Sequence, residues 1–484
     1  MPHSTATSSE LNVPALRPGG YHEMLRVAYP LILSMGTFTA MQFTDRVFLA
    51  HYSAVSIQAA LPAGILSFTM ICFFHALAGY SGTFVAQYHG AGQPEGCVRA
   101  TAQGIWLSLC SWPLIAALIP VGLWLMRISG HAPAVLREEY PFFTILMATG
   151  VVVPLGTAIG GFFTGQGRMR PNVISCVAGC LLNVVLDYAL IFGHWGFPRL
   201  GIVGAAIATA IAGCVPPAAQ FVLFLRDPLV RRMGWRNALV LDWPLMKRMV
   251  RYGAPAGGHL LVDIGSFTVF VLMTGRLEPL SFAASNIGFS INSVAFMPLL
   301  AISIAASIVV GQHQGRGDSD SAARAGWTAL MIGWVYMFAA GASFLLFPGG
   351  YYRLFQSQEA SYTVEQLVRA GKPMMLMMAI WGMFDTVNIV LSGALKGAGD
   401  TRFVMVYMLI LGWLVWLPGE WLIFHRQAGI IPAWIWLTVY VLILAVGFWW
   451  RWQSGRWQKV DMIGRGEMPL PPNRTGAEGL VVVD

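Results

Sequence analysis

The stretch VAQYHGAGQPEGCVRA, residues 85–100, returns in altered form as VVGQHQGRGDSDSAARA, residues 309–325. Setting Val85 against Val310 pairs Gln87 with Gln312, Gly90 with Gly315, Gly92 with Gly317 and Arg99 with Arg324, an offset of 225. The same offset brings Pro30 onto Pro255. A second pair, GFFTGQGRMR (161–170) and GALKGAGDTR (393–402), matches at 232, with Gly161/Gly393, Gly165/Gly397, Gly167/Gly399 and Arg170/Arg402 in register. The chain is therefore two copies of one unit.

Composition says what the unit is. Of 484 residues, 56% are hydrophobic and 11% charged, where a soluble domain carries about 25% charged residues. Crossing a bilayer takes about 20 apolar residues, and twelve runs meet that length: 28–49, 57–88, 99–126, 141–164, 172–193, 201–225, 250–275, 280–312, 323–347, 368–395, 402–425 and 430–452. The runs are continuous rather than alternating, so they predict helices and not barrel strands. Six runs fall in each half. An even number makes both halves enter the bilayer from the same side, as parallel repeats about an axis along the membrane normal. The expected fold is an all-α membrane protein of twelve transmembrane helices in two pseudo-symmetric six-helix bundles. Its expected parts are a disordered tail 1–21, an N-lobe 22–225, a linker 226–249, a C-lobe 250–452 and a second tail 453–484.

Basic loops set the orientation. Eight of the 30 Lys and Arg residues fall on one side: Arg127, Arg137, Arg199, Arg276, Arg353, Arg369, Lys372 and Arg426. Arg46 lies inside the first run, and the rest fall on the side of the termini. Both termini are thus expected in the cytoplasm, with the chain in the plasma (inner) membrane and no cleavable signal peptide. The net charge of +8 then reflects topology, and no nucleic-acid partner is expected. The six cysteines show neither disulfide nor paired CxxC spacing. The glycine-rich loops lack GKS or GKT and read as tight turns on the cytoplasmic side, not as nucleotide sites.

Five acids lie within the runs: Asp45, Asp187, Asp263, Asp385 and Glu420. Each costs at least ~2.5 kcal/mol on insertion scales, so such residues normally face a cavity and mark ion or proton pathways. Asn183 and Asp187 are four apart and share a helical face. A carboxylate and an amide oxygen together suit a hard cation such as sodium, or a carboxyl that takes and releases a proton. The repeat is broken here, since Phe270 stands opposite Asp45 and Phe38 opposite Asp263. Eighteen Trp and 24 Met, with MMLMM at 374–378 beside Asp385, offer an adaptable surface for flat cationic organic molecules. The competing explanation, lipid-facing fill and interfacial belts, accounts for most of them.

These residues resemble the multidrug and toxic compound extrusion (MATE) transporters, NorM/DinF-like. YPLILSMGTFTAMQFTDRVFLA resembles the family's first helix, with Pro30 ahead of Asp45. NVVLDYALIFGHWGFPRLGIVGAAIAT resembles its fifth and sixth, giving Asn183, Asp187 and Thr209. GAPAGGHLLVD resembles the start of the seventh, giving Asp263, and FDTVNIVLSGALKGAGDT the tenth, giving Asp385. The likeness spans about residues 22–452. It implies a monomeric antiporter that exports organic cations against a sodium or proton gradient, with no resident cofactor. It further implies an N-lobe ion site at Asp45, Asn183 and Asp187, the metal ligands if sodium is the coupling ion. A C-lobe site would hold Asp263 and Asp385, while Pro30, Thr209, Met375 and Trp381 would serve the cavity or its gating. Two departures stand out: an aspartate at 263 where the NorM-like branch usually has glutamate, and the presence of Asp187. The runner-up is a flippase for a lipid-linked oligosaccharide or other polyprenyl lipid, which would want a basic cavity. An intramembrane enzyme is disfavoured, since no DDxxD-type run is present.

Overall fold

The computed structural model describes residues 17–274, 279–355, 363–426 and 429–464. All regular structure among them is helical. Twelve long helices follow one another: α1 (Tyr21–Tyr52), α2 (Ala54–Gly90), α3 (Pro94–Ile128), α4 (Pro133–Gly165), α5 (Arg170–Phe192) and α6 (Ile202–Arg226), then α7 (Trp243–Thr274), α8 (Pro279–Arg316), α9 (Ser319–Leu346), α10 (Val364–Ala398), α11 (Thr401–His425) and α12 (Ile430–Gln453). Eleven of them are long and apolar enough to cross a membrane. The twelfth, α7, has the same 32-residue length as α1 but carries Lys247, Arg248, Arg251, His259 and Asp263. Large apolar side chains such as Val335, Leu346 and Leu414 lie exposed on the outer faces, as a bilayer-facing surface requires.

Local chemistry places the helix ends. A capping box at Thr363 and Gln366 opens α10, and the Asp318 side chain caps α9. Several helices are interrupted inside their apolar runs: α2 at Tyr80, α3 at Leu118, α4 at 149–151, and α11 by a π-helical turn over Ile410–Trp416.

Three stretches differ from expectation. Helix α7 begins at Trp243, inside the stretch read as linker, because helical backbone continues past the point where its side chains turn basic. The rest of that linker forms two short helices, Pro228–Met233 and Trp235–Ala238. The region read as a C-terminal tail is folded up to residue 464, with Arg456–Lys459 helical and Trp457, Met462 and Ile463 wholly buried. The region read as an N-terminal tail packs from Arg17 onward, and the Gly19 carbonyl accepts from Thr328 Oγ1 at 2.9 Å. Residues 1–16 and 465–484, with Arg465 and Arg474, and Arg276 in the α7–α8 connection, lie outside the described residues.

The lobes pack around separate cores that meet on the side of the termini. One cluster of the N-lobe gathers Leu49, Ile71, Phe143 and Ile191. The C-lobe cluster takes in α8, α10 and α12, and also Met24, Val27, Ala28 and Leu31 of α1. The first half of α1 is therefore seated on the C-lobe, and its second half, carrying Leu49, belongs to the N-lobe. Pro30 lies within the half seated on the C-lobe, since Leu31, Ile32 and Met35 beyond it still pack on that cluster.

The repeated motifs make the inter-lobe contact. Gln87 Nε2 donates to the Gly397 carbonyl at 3.0 Å, and Gln312 Nε2 to the Gly165 carbonyl at 2.8 Å. These two bonds are mates under the sequence repeat. A Cβ on Gly90 would collide with the Gln312 carbonyl, and one on Gly315 with the Gln87 carbonyl. The turns expected here exist, with φ of 69° at Gly92 and 81° at Gly317. Their neighbours also form a reciprocal seam, which the reading as turns did not contain.

Candidate functional site

The N-lobe brings Asp45 from α1, Asn183 and Asp187 from α5, and Thr209 from α6 to one place. Asn183 and Asp187 are wholly buried, one above the other on α5. Asp45 faces both of them, and Thr209 Oγ1 donates to Asp45 Oδ2 at 3.5 Å. One oxygen of Asp45, both of Asp187 and the Asn183 amide oxygen are buried without a regular hydrogen bond. Arg46 is exposed on another face of α1. The result is a nest of hard oxygens with two carboxylates and no inward basic side chain. Two such carboxylates repel unless a cation or a proton lies between them, and oxygen donors of this kind suit a hard cation.

The C-lobe holds a second, distinct group. Asp263 on α7 and Asp385 on α10 are electrostatic neighbours. Asp385 has a partner one turn along, since Asn388 Nδ2 donates to its Oδ1 at 3.5 Å and to the Val441 carbonyl at 3.2 Å. Tyr440 of α12 lies near both acids. Lys396, which sequence placed in a loop, belongs to the last turn of α10 and is an electrostatic neighbour of Asp263 and His259. Tyr80 Oη from the N-lobe donates to its carbonyl at 2.7 Å.

The remaining expected residues are elsewhere. Pro30 lies inside the unbroken α1, with its carbonyl accepting from Ser34 Oγ at 3.1 Å. Met375 and Trp381 are buried in the C-lobe interior, and Trp381 packs on Trp434 with ring centroids 6.0 Å apart. Of the MMLMM stretch, Leu376 is exposed while Met374, Met375 and Met378 point into the core, so most of this methionine content is packing.

Lys396, Asn388, Tyr440 and the Gln87/Gln312 pair were not among the expected site residues. The glutamines carried a signal, being kept at matching places in both copies. Lys396 carried another, since the 232 offset sets Thr164 against it.

Two six-helix lobes joined on one side, each holding a group of acids within its helices, define an all-α, multi-helix membrane protein. A family model described as MatE matches residues 30–189 and 255–422, one match per repeat and starting at Pro30 and Pro255. The chain belongs to this MATE family. It is 29% identical over 433 residues to the probable multidrug resistance protein NorM of Bradyrhizobium diazoefficiens, covering 87% of this chain and 91% of that one. The NorM counterpart of Pseudomonas putida is 30% identical over 443 residues, covering 88% and 94%. A solved structure described as the outward-facing conformation of a multidrug resistance MATE family transporter superposes with a TM-score of 0.79 at 19% identity, over 91% and 96% of the two chains. Multidrug efflux across a membrane is the activity these relationships support.

Proposed function

We propose that the protein is a secondary antiporter that exports organic cations across the plasma membrane in exchange for Na+ or H+, acting as a monomer with both termini in the cytoplasm. The observation that carries this reading is the N-lobe nest of Asp45, Asn183, Asp187 and Thr209, whose acceptor oxygens converge without an inward counter-charge. Occupation of this nest by the coupling cation or proton removes the repulsion between the two carboxylates. It thereby changes how α1 sits against α5. Because α1 is shared between the lobes and Pro30, in its C-lobe-seated half, removes one bond from its hydrogen-bond ladder, that change is transmitted as a bend at Pro30. The lobes then rock, forming or parting the seam of Gln87 and Gln312, and substrate held near Asp263 and Asp385 is released on the far side. The flippase reading wants a basic cavity, whereas the ammonium of Lys396, near the C-lobe acids, is offset by Asp263.

The test is uptake of a fluorescent organic cation into inside-out vesicles under an imposed sodium or proton gradient. Uptake driven by one gradient and lost in Asp45→Asn is expected. Absence of uptake under both would overturn the antiport reading.

A further inference from the structure

Glu420 takes no part in either group described above, and its surroundings are unusual. It is 0% exposed, and neither carboxylate oxygen has a hydrogen-bond partner. It sits in α11 just after the π-helical turn Ile410–Trp416, a wide-turn geometry that recurs at functional sites. The Trp416 side chain, one turn back, is its polar neighbour. The indole nitrogens of Trp416 and Trp434 are likewise buried and unpartnered. The Trp416 carbonyl is held by Trp436 Nε1 at 3.0 Å, which fixes the turn.

Among the described residues, no basic side chain hydrogen-bonds to Glu420 or forms an ion pair with it. Its own helix contributes Tyr407 and, beyond it, His425 and Arg426; His425 stacks on Trp421 at 5.0 Å. Helices α7 and α12, packed against this half of α11, contribute His259, Asp263 and Tyr440. None of these hydrogen-bonds to Glu420 among the described residues. An ionised carboxylate enclosed in this way is unstable unless a cation reaches it. Contact links this place to the C-lobe acids: Tyr440 lies near Asp263 and Asp385 and stacks on Trp416 with centroids 5.1 Å apart and planes at 20°.

We propose that Glu420 is a further cation-carrying carboxyl of the C-lobe, binding the monovalent coupling cation, Na+ or H+, behind the Trp416–Tyr440 stack. The rings enclose it too closely for an organic substrate. The cation is exchanged with the Asp263/Asp385 group as α11 shifts at its π turn. This inference rests on the antiport reading above.

The test uses the full chain in proteoliposomes. The steady accumulation of a fluorescent organic cation is measured at a fixed sodium gradient and, separately, a fixed pH gradient. In the arm that drives the wild type, Glu420→Gln is expected to accumulate less by one factor of the imposed gradient, because one fewer cation moves per substrate. Glu420→Asp is expected to restore it, and substrate affinity should be unchanged in both. Accumulation by Glu420→Gln equal to the wild type would overturn the proposal. Wild-type protein that accumulates nothing under either gradient would instead bring down the antiport reading and this one with it. Should Glu420→Gln not fold, Trp416→Phe keeps a smaller aromatic face toward Tyr440 and removes the indole N–H. It is expected to shift the half-saturating cation concentration several-fold, and an unshifted value would count against the proposal.

Discussion

Asp45 and Asp187 are two carboxylates held together around the Asn183 amide, with the Thr209 hydroxyl on Asp45 alone, and their separate contributions follow from that arrangement. A hydrogen bond to a charged group contributes about 1.5–3 kcal/mol, roughly 10- to 100-fold in an equilibrium. Replacing either acid with asparagine is therefore expected to lower gradient-driven uptake by about that range. Thr209→Val removes only one long contact at 3.5 Å and should cost a few-fold at most. Initial uptake rates decide this, and a Thr209→Val loss as large as that of Asp45→Asn would show that the hydroxyl is a principal ligand. Lys396 calls for the opposite sign. Its ammonium is a tethered cation beside Asp263, so Lys396→Met should tighten organic-cation binding at the C-lobe, read from fluorescence titration of the purified protein. Unchanged or weaker affinity would mean that Lys396 does not compete with substrate.

At the scale of elements, the seam between the repeats and the crossing of α1 carry the consequences. A neutral hydrogen bond is worth about 1 kcal/mol net, which is about a factor of five in a two-state ratio. Gln87→Ala and Gln312→Ala should each open the terminus side by about that factor, and the double variant by about the product, since the two bonds are separate. Labelling of single cysteines introduced beneath the seam reads this directly. If the double variant labels no faster than the wild type, the amide bonds do not hold the seam. Gly90→Val goes further: its Cβ has no space against the Gln312 carbonyl, so the closed form is expected to be lost together with transport. In α1, Pro30→Ala replaces the proline of the half seated on the C-lobe. It should stiffen the helix and slow turnover while leaving substrate affinity in place.

For the molecule as a whole, residues 456–463 act as a strap across the two lobes. Trp457 stacks on Trp452 at 4.2 Å within the C-lobe cluster, whereas Met462 and Ile463 join the cluster that holds Tyr88, Cys97 and Phe84 of the N-lobe together with Leu245 of α7. Gln314 Nε2 donates to the Gln458 carbonyl at 2.9 Å, and Arg248 Nη1 to the Ile463 carbonyl at 3.0 Å. Burying a large apolar side chain contributes about 1.5–3 kcal/mol. Truncation after residue 455 is therefore expected to lower the melting temperature in detergent by several degrees and to favour opening on the terminus side. A truncated protein that melts like the full chain would show that the strap adds no stability to this state.

The sequence alone determined the membrane class, the twelve helices, the internal repeat and most of the acids. Each rests on local hydropathy or on spacing along the chain. The convergence of Asp45 with Asn183 and Asp187 was legible because the two α5 residues are four apart, and the resemblance supplied the third. Tertiary structure alone decided what those local rules do not encode. Met375 and Trp381 were expected at the cavity or its gating, and it is helix rotation within the bundle that buries both in the C-lobe interior. Lys396 read as a loop residue because hydropathy ends before the helix does. The glycine-rich repeats read as turns, and only the approach of two backbones across the pseudo-symmetry axis makes Gln87, Gly90, Gln312 and Gly315 a seam. A carboxylate's neighbours come from helices distant in sequence, so the enclosure of Glu420 emerges only when α7, α11 and α12 pack together.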